Sequence, residues 1–126
     1  KEHGPYENIQ RGSLVFRPDG KDLAWAAFSD DGNWHVCLNG KPIDAGCDDV
    51  LSQITFSAGV SAPAYVGQYL SDGKLAFALS FGGEIGREYG SIWTGDGGKL
   101  FVQENGSIEY FAKSGSLLYR VVAKAK

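Results

Sequence analysis

The sequence predicts an all-β chain made of about three repeated antiparallel units of roughly forty residues. Three observations carry this reading. One phrase recurs. Phe16-Arg17-Pro18-Asp19-Gly20 leads into Leu23-Ala24-Trp25, Phe56-Ser57-Ala58-Gly59 into Ala62-Pro63-Ala64-Tyr65, and Trp93-Thr94-Gly95-Asp96-Gly97 into Leu100-Phe101-Val102. Phe56 follows Phe16 by 40 residues, and Trp93 follows Phe56 by 37. The 18 glycines lie between short apolar runs, where chain reversals need them, rather than in one block. No segment carries a helical period. Short strands and tight turns repeating at this interval point to propeller blades or a related β-array.

The elements follow in order. Lys1 to Gly12 is polar and reads as a frayed start. Ser13 to Phe16 is a strand stopped by Pro18-Asp19-Gly20, in which proline presets φ and glycine accepts positive φ. Leu23 to Phe28 is the second strand, and Asp30-Asp31-Gly32 turns the chain. Trp34 to Leu38 is the third, with Trp34, Val36 and Leu38 on one face and His35 and Cys37 on the other. Asn39-Gly40 is a hairpin signal. The second unit repeats the layout with Ile54 to Phe56, Ala64 to Val66 and Leu75 to Phe81, reversing at Ser71-Asp72-Gly73 and Gly82-Gly83. The third holds four strands, Ser91 to Thr94, Lys99 to Gln103, Ser107 to Ala112 and Leu117 to Ala123. Residues 1–126 thus read as a single all-β domain with units at about 10–50, 51–90 and 91–123.

Composition narrows the function. Hydrophobic residues make up 43% of the chain and aromatic residues 13%, enough for a packed core. The net charge is −3 with both signs scattered, which excludes a basic stripe for nucleic acid. No apolar run is long enough to span a membrane. The chain has no methionine and starts at Lys1, as a processed product or fragment would. Cys37 and Cys47 flank the turn-rich Asn39-Gly40-Lys41-Pro42 segment. They read either as a disulfide pair, which indicates an oxidising compartment, or as two buried thiols. With only His3 and His35 besides, they make no zinc set.

Phe16-Arg17-Pro18-Asp19-Gly20-Lys21-Asp22-Leu23-Ala24-Trp25 resembles the FSPDGK-x-LAY phrase of WD40-like β-propeller repeats of the TolB type. The stretch Asp31-Gly32-Asn33-Trp34-His35-Val36-Cys37-Leu38-Asn39-Gly40-Lys41 is similar to that group's xGKWxVVVNGK. The resemblance covers roughly residues 10 to 112. It implies blade-like units and, with a Cys37–Cys47 bridge, an exported bacterial protein, periplasmic or extracellular. Three units are fewer than a closed propeller needs. The chain is therefore part of a longer ring, half of a ring completed by a homodimer, or a smaller sandwich or barrel.

Catalytic signals are sparse. Asp19, Asp31, Asp72 and Asp96 each precede a turn glycine, as hairpins themselves demand. Thr94-Gly95-Asp96-Gly97-Gly98-Lys99-Leu100-Phe101 fits the Asp-box pattern, a turn device similar to that of sialidases. Asn105-Gly106-Ser107 matches a glycosylation acceptor that its turn also explains. No base-paired nucleophile, phosphate cradle, metal set or cofactor motif is present, so no cofactor is expected. Aromatic residues remain. Trp34, Tyr69 and Phe81, beside turns, are the candidate ligand-binding residues. The expected function is a noncatalytic module binding a protein, peptide or glycan. The alternatives are a carbohydrate-active hydrolase using turn carboxylates, and a structural or assembly domain.

Overall fold

The computed structural model describes residues 8–9 and 13–125, with side chains from Ser13 onward. His3, the rest of the polar start and Lys126 lie outside the described residues. The described chain is all-β: three antiparallel sheets follow one another along the sequence. In the first, β1 (Asn8–Ile9) and β2 (Val15–Phe16) share one edge of β3 (Leu23–Phe28), followed by β4 (Trp34–Leu38) and β5 (Lys41–Pro42). The second runs β6 (Asp49–Val50), β7 (Tyr65–Ser71), β8 (Lys74–Phe81) and β9 (Glu84–Ile85). In the third, β10 (Ser91–Trp93) and β11 (Phe101–Val102) share one edge of β12 (Ile108–Ser114), and β13 (Leu117–Ala123) takes the other.

Turn chemistry sets the registers. Asn39-Gly40 and Asp72-Gly73 form two-residue reversals with both φ angles positive, at 51° and 94° and at 51° and 75°. That is the type I′ turn, whose twist matches the strands it joins. It fixes Leu38 opposite Lys41 and Ser71 opposite Lys74, and alternation then assigns every side chain to a face.

Two cores result, one at each junction between sheets. Ala24, Ala26 and Val36 of the first sheet meet Val50, Ile54 and Tyr65 of the second. The two alanines leave room for the Tyr65 ring, which is fully buried. On the opposite side of β7, Ala64 and Val66 join Leu79, Phe81 and Tyr89 against Leu100, Ile108, Tyr110 and Ala112 of the third sheet. Each large side chain buried this way contributes about 1.5–3 kcal/mol. These contacts, more than the small turns, hold the stack together.

The third copy of the recurring phrase does not play the part of the first two. Arg17 and Gly20 close the β2–β3 reversal, with Gly20 N–H donating to Arg17 C=O at 2.7 Å. Val60 N–H does the same to Ser57 in the second sheet. In the third sheet the matching reversal is Gln103 to Gly106, with Gly106 N–H donating to Gln103 C=O at 2.9 Å. The Asp96-Gly97 turn is instead an insertion closed by Gly95 and Lys99, and β10 and β11 continue past it along the same edge of β12. Both places offer Asp or Asn before glycine, so local chemistry is alike. The strand available for pairing decides between them. Side chains join the three true reversals: the Arg17 guanidinium donates to the carbonyls of Val60 and Ser61 and lies over the Phe56 ring, and the Ser57 hydroxyl donates to Gly106 C=O.

No disulfide joins Cys37 and Cys47; both are buried thiols. Cys37 packs with Trp25 and Ala27 on the face of the first sheet turned away from the second. Cys47 packs in the core between the two sheets. Cys37 alternates with Trp34, Val36 and Leu38 in β4, so its side chain takes the face opposite to that of Cys47.

Candidate functional site

The three aromatic residues singled out in the sequence do not share a surface. Trp34 is half-buried, edge-on to Phe28 at 5.5 Å between centroids, and packs on the first core with Tyr69. The Tyr69 hydroxyl turns inward so closely that a Cβ at Gly67 would lie 2.9 Å from it. Phe81 is buried in the second core. Trp34 and Tyr69 therefore flank one junction, and Phe81 belongs to the other.

The first junction holds a polar centre that sequence reasoning missed. Asp44, just after β5, accepts from the Tyr65 hydroxyl at 2.9 and 2.8 Å and from the Ser80 hydroxyl at 2.7 Å. Gly46 N–H donates to it at 2.9 Å. Burial, and then the Asp44 charge, push the Tyr65 hydroxyl far above the ordinary tyrosine range. Burial likewise pushes the Cys47 thiol up to about 12. Asp44 thus fastens the loop after β5 to β7 and β8 of the second sheet. The signal available was a lone aspartate inside the Ile43-Asp44-Ala45-Gly46-Cys47 stretch, which reads as an ordinary loop.

Three exposed aromatic side chains gather elsewhere, on the outer face of the third sheet. Alternation in β12 sends Ile108, Tyr110 and Ala112 into the core and Glu109, Phe111 and Lys113 outward. Trp93 stands opposite Phe111, and Phe101 opposite Glu109. Trp93, Phe101 and Phe111 are 52%, 56% and 41% exposed. Arg120 of β13 donates from Nε and Nη2 to the two Glu109 oxygens at 2.8 and 3.1 Å, and Gln103 Nε2 donates to Glu109 at 2.6 Å. The Arg120 hydrogen bonds hold the Glu109 carboxyl below its usual range. Phe101, Gln103, Glu109 and Phe111 line a shallow depression of about 310 Å³. Phe111 was legible as a phenylalanine between Glu109 and Lys113 on what alternation makes the solvent side.

Two of the turn carboxylates hold their own turns. Asp19 accepts from Lys21 N–H and Asp31 from Asn33 N–H, each at 2.9 Å. The Asn33 amide, and then His35 at 2.7 Å, hold the Asp31 carboxyl below the usual range. A hollow of about 520 Å³ between Ala58–Val60 and Asn105–Ser107 has Lys124 as its ionisable side chain. No group of three or more metal-ligating side chains occurs among the described residues. No described helix is long and apolar enough to cross a membrane. No family model, curated protein or solved structure matches the chain.

Proposed function

We propose that this chain is a noncatalytic binding module of an exported, propeller-like array, and that its contact surface is the outer face of the third sheet. The observation that carries the reading is the row formed by Trp93, Phe101 and Phe111, each more than two-fifths exposed on a sheet whose other face is core. Rigid aromatic side chains around a fixed guanidinium–carboxylate pair supply apolar area at low entropic cost and one polar anchor. Sheet packed face to face on sheet, each unit a meander, supports the blade-like part of the reading. Asp19 and Asp31 each accept from an amide of their own separate turn, which favours binding over hydrolysis by two carboxyl groups facing one cleft.

The test uses a hydrophobic fluorescent dye, anilinonaphthalene sulfonate, on the native protein. The dye is expected to bind, and the double variant Phe101→Ser, Phe111→Ser to lose that signal with an unchanged melting temperature. Equal dye binding by the double variant would overturn this choice of surface.

A further inference from the structure

The first two sheets each end in a fourth strand, and the third does not. In the first sheet β5 and the residues after it cover the outer edge of β4, with Leu38 opposite Lys41, Ile43 N–H on Val36 C=O and Cys47 N–H on Trp34 C=O. In the second, β9 and its continuation cover β8, ending with Phe77 and Tyr89 exchanging both backbone bonds at 2.8 Å. No described strand pairs with the outer edge of β13.

The register says which groups face that edge. β12 and β13 are joined by the two-residue turn Gly115-Ser116, which closes on Ser114 and Leu117. Counting from a closing pair that exchanges hydrogen bonds, Leu117, Tyr119 and Val121 bond to β12. The N–H and C=O groups of Leu118, Arg120 and Val122 therefore point to the open edge. Seven residues without proline, bulge or covering strand form a template for strand addition.

Charge selects the occupant. Residues 110–125 contain Lys113, Arg120 and Lys124 and no carboxylate, in a chain whose net charge is −3. Arg87 adds its guanidinium over the Tyr119 ring at 5.1 Å, beside the same edge. Glu109 is held by Arg120, and Glu84 of β9 lines one hollow with Ala123 and Lys124. A second copy added through β13 would set cations against cations, which disfavours it. The half-buried Tyr119 and Val121 of β13 pack against the second core, and in the complete sheets the fourth-strand segments add Ile43 and Tyr89 to the cores. This pattern calls for apolar side chains at alternate positions of the incoming strand.

We propose that the outer edge of β13 binds an extended peptide of alternating acidic and apolar residues, which adds as the fourth strand of the third sheet. This rests on reading the chain as a binding module and names its partner class.

The test compares two blocked, fluorescein-labelled nonapeptides, one alternating Glu and Val and one alternating Lys and Val, by anisotropy. The acidic peptide is expected to bind about tenfold or more tightly than the basic one, and to weaken as salt is raised. Hydrogen exchange on the native protein is expected to slow at Leu118, Arg120 and Val122 when the acidic peptide is added. Leu118→Pro with Val122→Pro removes two outward N–H groups and is expected to abolish binding. Leu118→Ala with Val122→Ala keeps them and is expected to retain it within about threefold. Equal affinity for the two peptides overturns the proposal. So does unchanged exchange at the three amides, a readout that needs no variant. Equal loss in the proline and alanine pairs also overturns it, while leaving a side-chain contact surface in place. Edge amides protected in a peptide-free dimer would assign the edge to a second copy instead.

Discussion

The Tyr65 hydroxyl lies 2.9 Å from one oxygen of Asp44 and 2.8 Å from the other, tying the loop after β5 to the middle of the second sheet. A carboxylate this enclosed depends on its donors. Tyr65→Phe removes one while keeping the ring, and is expected to lower stability by about 2 kcal/mol. Ser80→Ala, which removes the 2.7 Å donor, is expected to cost about 1 kcal/mol. Chemical denaturation midpoints at constant m-value check both.

Two glycines in similar turns are expected to respond differently to alanine. Gly106 has φ +85° and a built Cβ would come 2.7 Å from the Ala58 carbonyl oxygen, so backbone must move. Gly97 has φ +71° with its nearest neighbour, the end of Gln53, at 3.7 Å. Gly97→Ala is expected to cost about 1–2 kcal/mol from the left-handed backbone alone, and Gly106→Ala clearly more. Equal losses would mean that the Gly106 reversal is not clamped between the second and third sheets.

Stability is expected to fall in alkali. Folding raises the Cys47 thiol from its ordinary 9.0 to about 12 and the Tyr110 phenol from 10.0 to about 12, both mainly through burial. Tyr65 and Tyr69 shift in the same direction. An acid whose folded value is raised stabilises fully below its unfolded value and loses that contribution as pH climbs toward the folded one. The melting temperature should therefore hold steady from these groups below about pH 9 and drop steadily from there toward pH 12. Cys47→Ala should remove the onset of that drop near pH 9 and leave the later, phenolic part.

Trp34 and Phe111 test the division between core and contact surface. Trp34→Ala opens the first core beside Phe28 and Tyr69, and is expected to cost about 2 kcal/mol or more. Phe111→Ser changes an exposed side chain and is expected to stay within about 0.5 kcal/mol. Thermal melts of the two variants separate the cases.

Much of the fold could be read from local chemistry. Asn39-Gly40 and Asp72-Gly73 name their own turn type, β3 spans Leu23–Phe28 between the turns that bound it, and β4 spans Trp34–Leu38 as its alternation indicates. What escaped depends on neighbours distant in sequence. Asp96-Gly97 and Asn105-Gly106 carry the same turn chemistry, and pairing with β12 alone makes the second a strand reversal and the first an insertion. Asp44 takes on its role when Tyr65 and Ser80 arrive from another sheet. Phe81 sits beside a turn, as a surface aromatic would, but its face of β8 meets the third sheet. Cys37 and Cys47 are close in the chain and parted by one residue's worth of alternation.

Every hydrogen-bonded ladder in the described chain begins and ends within its own sheet, so the three meanders communicate mainly through side chains. The peptide bond between Tyr89 and Gly90 comes directly after the Phe77–Tyr89 bridge, the last pairing of the second sheet, and before β10. A nick there severs no strand pairing. The two pieces would keep the tyrosine cluster of Tyr89, Tyr110 and Tyr119 as their means of finding each other again. The molecule is in this sense modular at its seams, and a split-reporter fusion has a natural place to be cut.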